Sequence, residues 1–374
     1  MINSSQQCRQ FSCACNGLKL HDGQESQTSR RSFIQQLGGL GAGAAIGGAG
    51  AFNLSSAFAA EQQVIDTHHH FYSPSYQKAW LDWDDKYNIP HFPTQVAWTQ
   101  DKAVEAMDAG GVKKSILSLA STPGVWFNFE LPRIIDIVRE VNEYGAGMVK
   151  KYPGRFGLFA AIPMVDVESS LREINYAFDV LKADGVGIQT NYGDKWPGHP
   201  SFAPIFEELN RRKAVVYFHP LTATCCGRLD TGTYGSVIEV PHDTTRAVVN
   251  LLLTGSLLKF RDIKWLFSHA GGTIPMLAGR INYFHGNKES TAKFAPNGIE
   301  AELKRLYYDT ANATHPSSMA ALLKLIPPTQ ITYGSDYPYV PIATQVEALN
   351  QQGFSNELLE QIKYRNALAL LKKA

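Results

Sequence analysis

Cysteine is scarce where a fold would use it. Cys8, Cys13 and Cys15 fall in the first fifteen residues, and only the neighbours Cys225 and Cys226 lie beyond them. A bond between adjacent cysteines is strained, so a disulfide framework is excluded. The body of the chain also lacks an uninterrupted apolar run of the roughly 18–20 residues that a bilayer span requires, which excludes stable membrane insertion. Charge of one sign is missing as well: 35 basic residues stand against 34 acidic ones, a formal net charge of +1. Such a balance creates no field that would gather a polyanion, and nucleic acid is excluded as a partner. No glycine-rich loop follows a predicted strand, since Gly38-Gly39-Leu40-Gly41 and Gly47-Gly48 sit in the N-terminal segment. No organic cofactor is therefore expected. Repeats of 20–50 residues are absent, so a solenoid is not supported.

What is present begins with an address. Ser29-Arg30-Arg31-Ser32-Phe33-Ile34 precedes a Gly/Ala-rich run from Leu37 to Ala51 and then Ala57-Phe58-Ala59-Ala60. Charged, apolar and small-residue regions in that order make an export signal. The paired arginines resemble the twin-arginine type, which implies recognition by the twin-arginine translocation machinery and a periplasmic or exported location. Residues 1–59 are expected to be signal and flexible tail, and residues 60–374 one domain.

That domain reads as an alternation. Short apolar runs at Val64–His68, Lys114–Leu119, Phe156–Ile162, Gly185–Thr190, Val215–His219, Ile263–Ser268, Leu306–Asp309 and Gln330–Tyr333 predict strands. Helix-period segments lie between them, among them Leu131–Lys151, Val167–Ala183, Phe202–Arg212, Thr244–Leu258, Thr273–Phe284 and Pro316–Leu325, and Glu357–Leu371 predicts a terminal helix. Eight strand–helix units with strands apolar on both faces close most simply into a (β/α)8 TIM barrel. Two long insertions, Phe71–Thr99 after strand 1 and Pro220–Thr244 after strand 5, should lie over its C-terminal face.

Chemistry-bearing residues fall at the C-terminal strand ends, where barrel enzymes place their sites. Strand 1 ends in Asp66-Thr67-His68-His69-His70, strand 5 in His219-Pro220, strand 6 in Ser268-His269-Ala270-Gly271-Gly272 and strand 8 in Gly334-Ser335-Asp336-Tyr337-Pro338. Side chains alternate along a strand, so His68 and His70 share a face and His69 points away. Asp66 is expected to orient the ligand pair through hydrogen bonds. Trp80, Trp83, Trp98, Trp126, Tyr192 and Tyr339 fall in predicted loops near the rim, where aromatic rings can stack on a substrate.

These pieces, in this order and spacing, resemble the metal-dependent amidohydrolase superfamily in its aminocarboxymuconate-semialdehyde decarboxylase-like branch, over essentially Val64–Leu370. The run Ser118–Gly124, the segment Asn191-Tyr192-Gly193 and Asp243-Thr244-Thr245-Arg246 are similar to its 6-methylsalicylate decarboxylase-related subgroup. The resemblance implies one divalent metal, zinc in first place and manganese as an alternative, held by His68, His70, His219 and Asp336. A second metal is not expected, because Gly187-Ile188-Gln189-Thr190-Asn191 has no lysine where binuclear members carry one. The implied reaction is non-oxidative decarboxylation of a small hydroxylated aromatic acid. His269 and Asp336 are the candidates for proton transfer, with Asp336 as carrier and His269 orienting or relaying. The same ligands would also serve a hydrolase that attacks a lactone, ester or amide with metal-bound water. The resemblance further implies a homodimer in which Arg280 holds the substrate carboxylate of the neighbouring site, and Tyr192 is expected to contact substrate.

Overall fold

The computed structural model describes residues 63–86, 91–120, 129–221, 233, 235–286 and 289–372. The expected export signal lies outside the described residues.

Eight parallel strands run in sequence order: β1 Val64–His70, β2 Val112–Ser118, β3 Phe156–Ala161, β4 Gly185–Gln189, β5 Val215–His219, β6 Lys264–Phe267, β7 Tyr307–Asp309 and β8 Ile331–Thr332. Each pairs with the next. The ring closes through the backbone that follows β8: Thr67 N–H donates to Tyr333 O at 2.9 Å, Asp336 N–H to His68 O at 2.9 Å and His70 N–H to Tyr337 O at 2.8 Å. The expected (β/α)8 barrel is the fold.

Packing explains the alternation. All seven residues of β1 are buried, as are all of β3 and β5, because the sheet carries side chains inside and helices outside. The helix Leu131–Lys151 shows the outer half of that contact. Its buried residues Ile134, Ile137, Val138, Val141, Gly145 and Met148 recur at three and four, forming one apolar stripe. Caps begin other helices as their residue types require: Thr99 accepts from Lys102 N, and Asp166 accepts from Ser169 N.

Two of the elements that differ from the sequence expectation are instructive. The helix expected from Thr244 begins at Gly235 and runs to Leu253 through Pro241. Proline is tolerated there because the carbonyl that loses its N–H partner, four residues back, belongs to the exposed Val237. The insertion after β5 is correspondingly shorter than expected. The terminal helix is built of three successive pieces, Asn356–Glu360, a wider turn at Gln361–Arg365, and Asn366–Leu371. Its Ile362 carbonyl accepts from Tyr333 N–H at 2.9 Å, which pins it beside β8. Among the described residues no helix is long and apolar enough to cross a membrane.

Candidate metal centre

β1 delivers two imidazoles to one point. His68 and His70 point to the same side, with their Nε2 atoms 3.1 Å apart. His69 points away, stacked on the Tyr337 ring at 4.8 Å between centroids. The turn after β8 brings Asp336, whose Oδ1 lies 3.1 Å from both His68 Nε2 and His70 Nε2. His219 arrives from β5, its ring 4.6 Å from that of His70 and 5.1 Å from that of His68. His269, just past β6, places its ring 4.9 Å from His68. Donor atoms of His68, His219, His269 and Asp336 all lie within 4.8 Å of one another, and all four side chains are buried. The expected ligands His68, His70, His219 and Asp336 are thus brought together, and His269 joins them.

The donor chemistry fits a divalent cation. Neutral imidazole and carboxylate are zinc donors, and manganese accepts the same set. At bond lengths of about 2.1 Å, neighbouring donors stand about 3.4 Å apart in a tetrahedral shell and about 3.0 Å apart in an octahedral one. The 3.1 Å triangle falls between these values.

Electrostatics make the cluster a place where positive charge belongs. Burial pushes the His68 imidazole down, but the carboxylates of Asp309 and Asp336 outweigh it and hold the group up at about 10. Burial and the neighbouring imidazoles push His219 well below its ordinary value, and burial lowers His70. Burial alone would raise Asp336. The charge of His68 and hydrogen bonds from His68 and His70 instead hold it well below the carboxylate range. A cation bound there would take over the role of the His68 proton, because ligation requires the free lone pair.

Neighbouring groups fix the donors, and two of them escaped the sequence reading. Asp309, at the end of β7, lies 2.9 Å from His68 Nδ1. Asn312 donates to Asp336 Oδ2 at 2.5 Å and accepts from Gln345 Nε2 at 3.3 Å. Asp66 does not orient the ligand rings as expected. Its Oδ1 accepts from the backbone N–H of His68 and of Ser335, both at 3.0 Å, and its Oδ2 from the Ser335 hydroxyl at 2.6 Å. It therefore ties the backbone of β1 to that after β8, while Asp309 orients the ring.

Backbone strain gathers at the same residues. His269, Asn312 and Asp336 have φ of 53°, 51° and 64°, a left-handed region that costs L-residues of this kind about 1–3 kcal/mol each. Hydrogen bonds hold them there. His269 N–H donates to Asp309 Oδ1 at 3.0 Å, and its Nδ1 lies 2.9 Å from Ala311 O. Donation from Nδ1 to that carbonyl leaves Nε2 as the unprotonated nitrogen.

A cavity of about 850 Å³ opens onto His219, His269, Asn312 and Asp336. Trp80, Phe92, Tyr339, Val240, Pro241 and Met276 also line it, and the described lining residues include neither lysine nor arginine. Of the rim aromatics, Trp80 and Tyr339 reach this cavity. Trp98 packs on Tyr72, and Trp126 lies outside the described residues. Tyr192 lines a small cavity with Gln189, Tyr217 and His219, which adjoins the main one at His219, and its hydroxyl accepts from Gln189 N–H at 2.9 Å. The structure therefore does not bring Tyr192 to the main cavity. Arg280 is exposed on the helix Ile274–His285, its guanidinium 5.1 Å from the Phe284 ring, and does not line the cavity of its own subunit.

A barrel with His-x-His at the end of β1, imidazoles at the end of β5 and just past β6, and a carboxylate after β8 matches the Amidohydrolase family model over residues 65–373. The chain belongs to this amidohydrolase family. Within it, decarboxylases are similar over most of their length. Decarboxylase macB of Penicillium terrestre is 34% identical over 296 residues, which cover 75% of this chain and 85% of that protein. The 6-methylsalicylic acid decarboxylase of Penicillium expansum is 32% identical over 280 residues, covering 74% and 85%. Among solved structures, 5-carboxyvanillate decarboxylase of Novosphingobium aromaticivorans, complexed with manganese and 4-hydroxy-3-methoxy-5-nitrobenzoic acid, superposes with a TM-score of 0.73. It is 21% identical, and the match covers 83% of this chain and 96% of that one. The expected placement of this amidohydrolase among carboxy-lyases is borne out.

Proposed function

We propose that this amidohydrolase-family enzyme removes CO2, without redox chemistry, from a small ortho-hydroxylated aromatic acid of the 6-methylsalicylate kind. The observation that carries the reading is the meeting of a buried imidazole–carboxylate cluster with a cavity walled by Trp80, Phe92 and Tyr339. Such walls bury a planar ring. His68, His70, His219 and Asp336 would hold zinc, or manganese as the alternative. When bound, the ion supplies Lewis acidity toward the phenolic oxygen. A proton that His269 Nε2 takes up from solvent would pass to the ring carbon bearing the carboxylate, the bond to the carboxyl carbon would break with its electron pair returning to the ring, and CO2 would leave.

His269 suits the proton transfer better than Asp336. With Nδ1 spent on the Ala311 carbonyl, its Nε2 is the nitrogen able to take up a proton from solvent and hand it on, and the residue lines the cavity. Both oxygens of Asp336 already face donors, Asn312 at Oδ2 and the two imidazoles at Oδ1. A proton on Oδ2 would confront the Asn312 N–H. Asp336 is accordingly a ligand in this reading, and His269 the proton carrier.

The absence of a cation among the described lining residues bears on the substrate carboxylate. Arg280 shares an exposed helix face with Met276, Tyr283 and Phe284. In the homodimer we propose, this face is buried and Arg280 serves the partner's cavity, where a guanidinium grips a carboxylate bidentately. Export by the twin-arginine route to the periplasm completes the proposal, supported by Arg30-Arg31 and the runs that follow.

The test is a panel of hydroxybenzoates, with and without an ortho hydroxyl, assayed by CO2 release with the metal-loaded enzyme. Ortho-hydroxylated acids should release CO2 and their meta- and para-only isomers should not. Hydrolysis of lactones or esters with no CO2 from any acid would overturn the reading.

A further inference from the structure

Asp309 ends β7 and is fully buried. Its two oxygens serve different masters. Oδ2 lies 2.9 Å from His68 Nδ1. Oδ1 accepts from the backbone N–H of His269 and from that of Ala311, each at 3.0 Å. Ala311 in turn presents its carbonyl to His269 Nδ1 at 2.9 Å. His269 is therefore held at its backbone by Asp309, and at its ring by a residue that Asp309 also holds. Donation of the His68 Nδ1–H to Oδ2 fixes Nε2 as the atom facing Asp336 and His70 at 3.1 Å, and as the one whose lone pair a cation would take in place of the proton.

We propose that Asp309 is a positioning residue that indexes the metal ligand His68 and the proton-handling His269 to one another, so that ion affinity and turnover depend on one buried carboxylate. The proposal rests on the reading of His68 as a ligand. What makes it specific is the donor count. Three N–H groups converge on Asp309, and only an ionised carboxylate of this length accepts on both sides. The isosteric Asp309→Asn can satisfy one side alone. With its carbonyl toward His269 and Ala311, its amide N–H2 faces His68 Nδ1. The imidazole must then carry its proton on Nε2, the atom that should meet the ion. With the amide turned round, N–H2 opposes two backbone N–H groups and His269 loses its anchor.

The experiment measures metal affinity by chelator competition with zinc and, separately, with manganese, and then turnover at saturating metal. Asp309→Asn should bind metal about ten- to a hundredfold more weakly, the usual effect of losing a group that orients a ligand. At metal saturation its kcat should stay at least about tenfold below the parent. Parental metal affinity would overturn the proposal. Weak affinity with full kcat recovery at saturating metal would overturn the coupling to His269, because a group that only orients a ligand is rescued by excess ion. Asp309→Ala is the second variant, and circular dichroism of both metal-free proteins reports the fold. Since alanine removes both contacts, this variant should lose at least as much affinity and metal-saturated turnover as Asp309→Asn. Parental affinity in folded Asp309→Ala overturns the proposal independently. If the substrate reading alone is wrong, the affinity losses persist in both variants while no acid of the panel releases CO2 with the parent enzyme.

Discussion

An imidazole can hold an ion or carry a proton, and its second nitrogen decides which. His269 spends Nδ1 on the Ala311 carbonyl and lines the cavity, while the His219 ring stands edge-on to those of His68 and His70. His219→Ala and Asp336→Ala should therefore lower metal content measured by elemental analysis, because removing one donor weakens the whole shell. His269→Ala should keep its metal and lose turnover by about 10²–10⁴-fold. Metal loss in His269→Ala would assign this residue to the shell instead, a place its distance to the other donors permits. The ligands were legible in the sequence because each is an imidazole or carboxylate at the end of an apolar run, and barrel topology carries such ends to one rim. Asp309 carried the same signal and was read only as a strand terminus. Asn312 carried none, since its role depends on a left-handed backbone that turns its amide back toward Asp336.

At the scale of elements, the turn from β6 into the helix Ile274–His285 decides where His269 points. His269, Ala270, Gly271 and Gly272 have φ of 53°, 57°, 73° and 66°, four residues of positive φ in a row. Gly272 also packs against the helix Gly235–Leu253. A Cβ there would stand 1.9 Å from the Pro241 carbonyl oxygen and 2.7 Å from Thr245 Oγ1. Gly272→Ala thus meets both backbone strain and a clash with main chain, and should destabilise the protein by at least about 2 kcal/mol in denaturant titration, with turnover falling as His269 shifts. Gly353→Ala is the control. Its φ is 72° but nothing lies within 4 Å of the added atom, so strain alone should act, at about 1–2 kcal/mol. Equal losses for the two would sink the packing argument. The neighbouring helix shows why sequence reading stopped short here. A proline seven residues in looks like a boundary, yet it is accommodated where the freed carbonyl meets solvent.

For the whole molecule, the open question is whether one chain makes a site. With Arg280 turned outward and no cation among the described lining residues, subunits of Arg280→Ala and of His269→Ala should each be nearly inactive. Mixing them should restore part of the activity, since one of the two sites in a mixed dimer then has both residues. A mixture as inactive as its parents after verified subunit exchange, or an active monomer in sedimentation, would refute the shared site. Barrel closure has a different consequence. Asp336 and His70 touch across 266 residues of sequence, from opposite sides of the seam where the last strand meets the first. An ion gripped by both works as a clasp on that seam, and a partner bound only by the folded state adds about 2.7 kcal/mol at a hundred times its dissociation constant. With an ion held by both, the barrel would not unbutton between β8 and β1 without letting it go, and a chain still short of its final forty residues would have no fastening to close. Ion uptake would thereby report that the fold is finished.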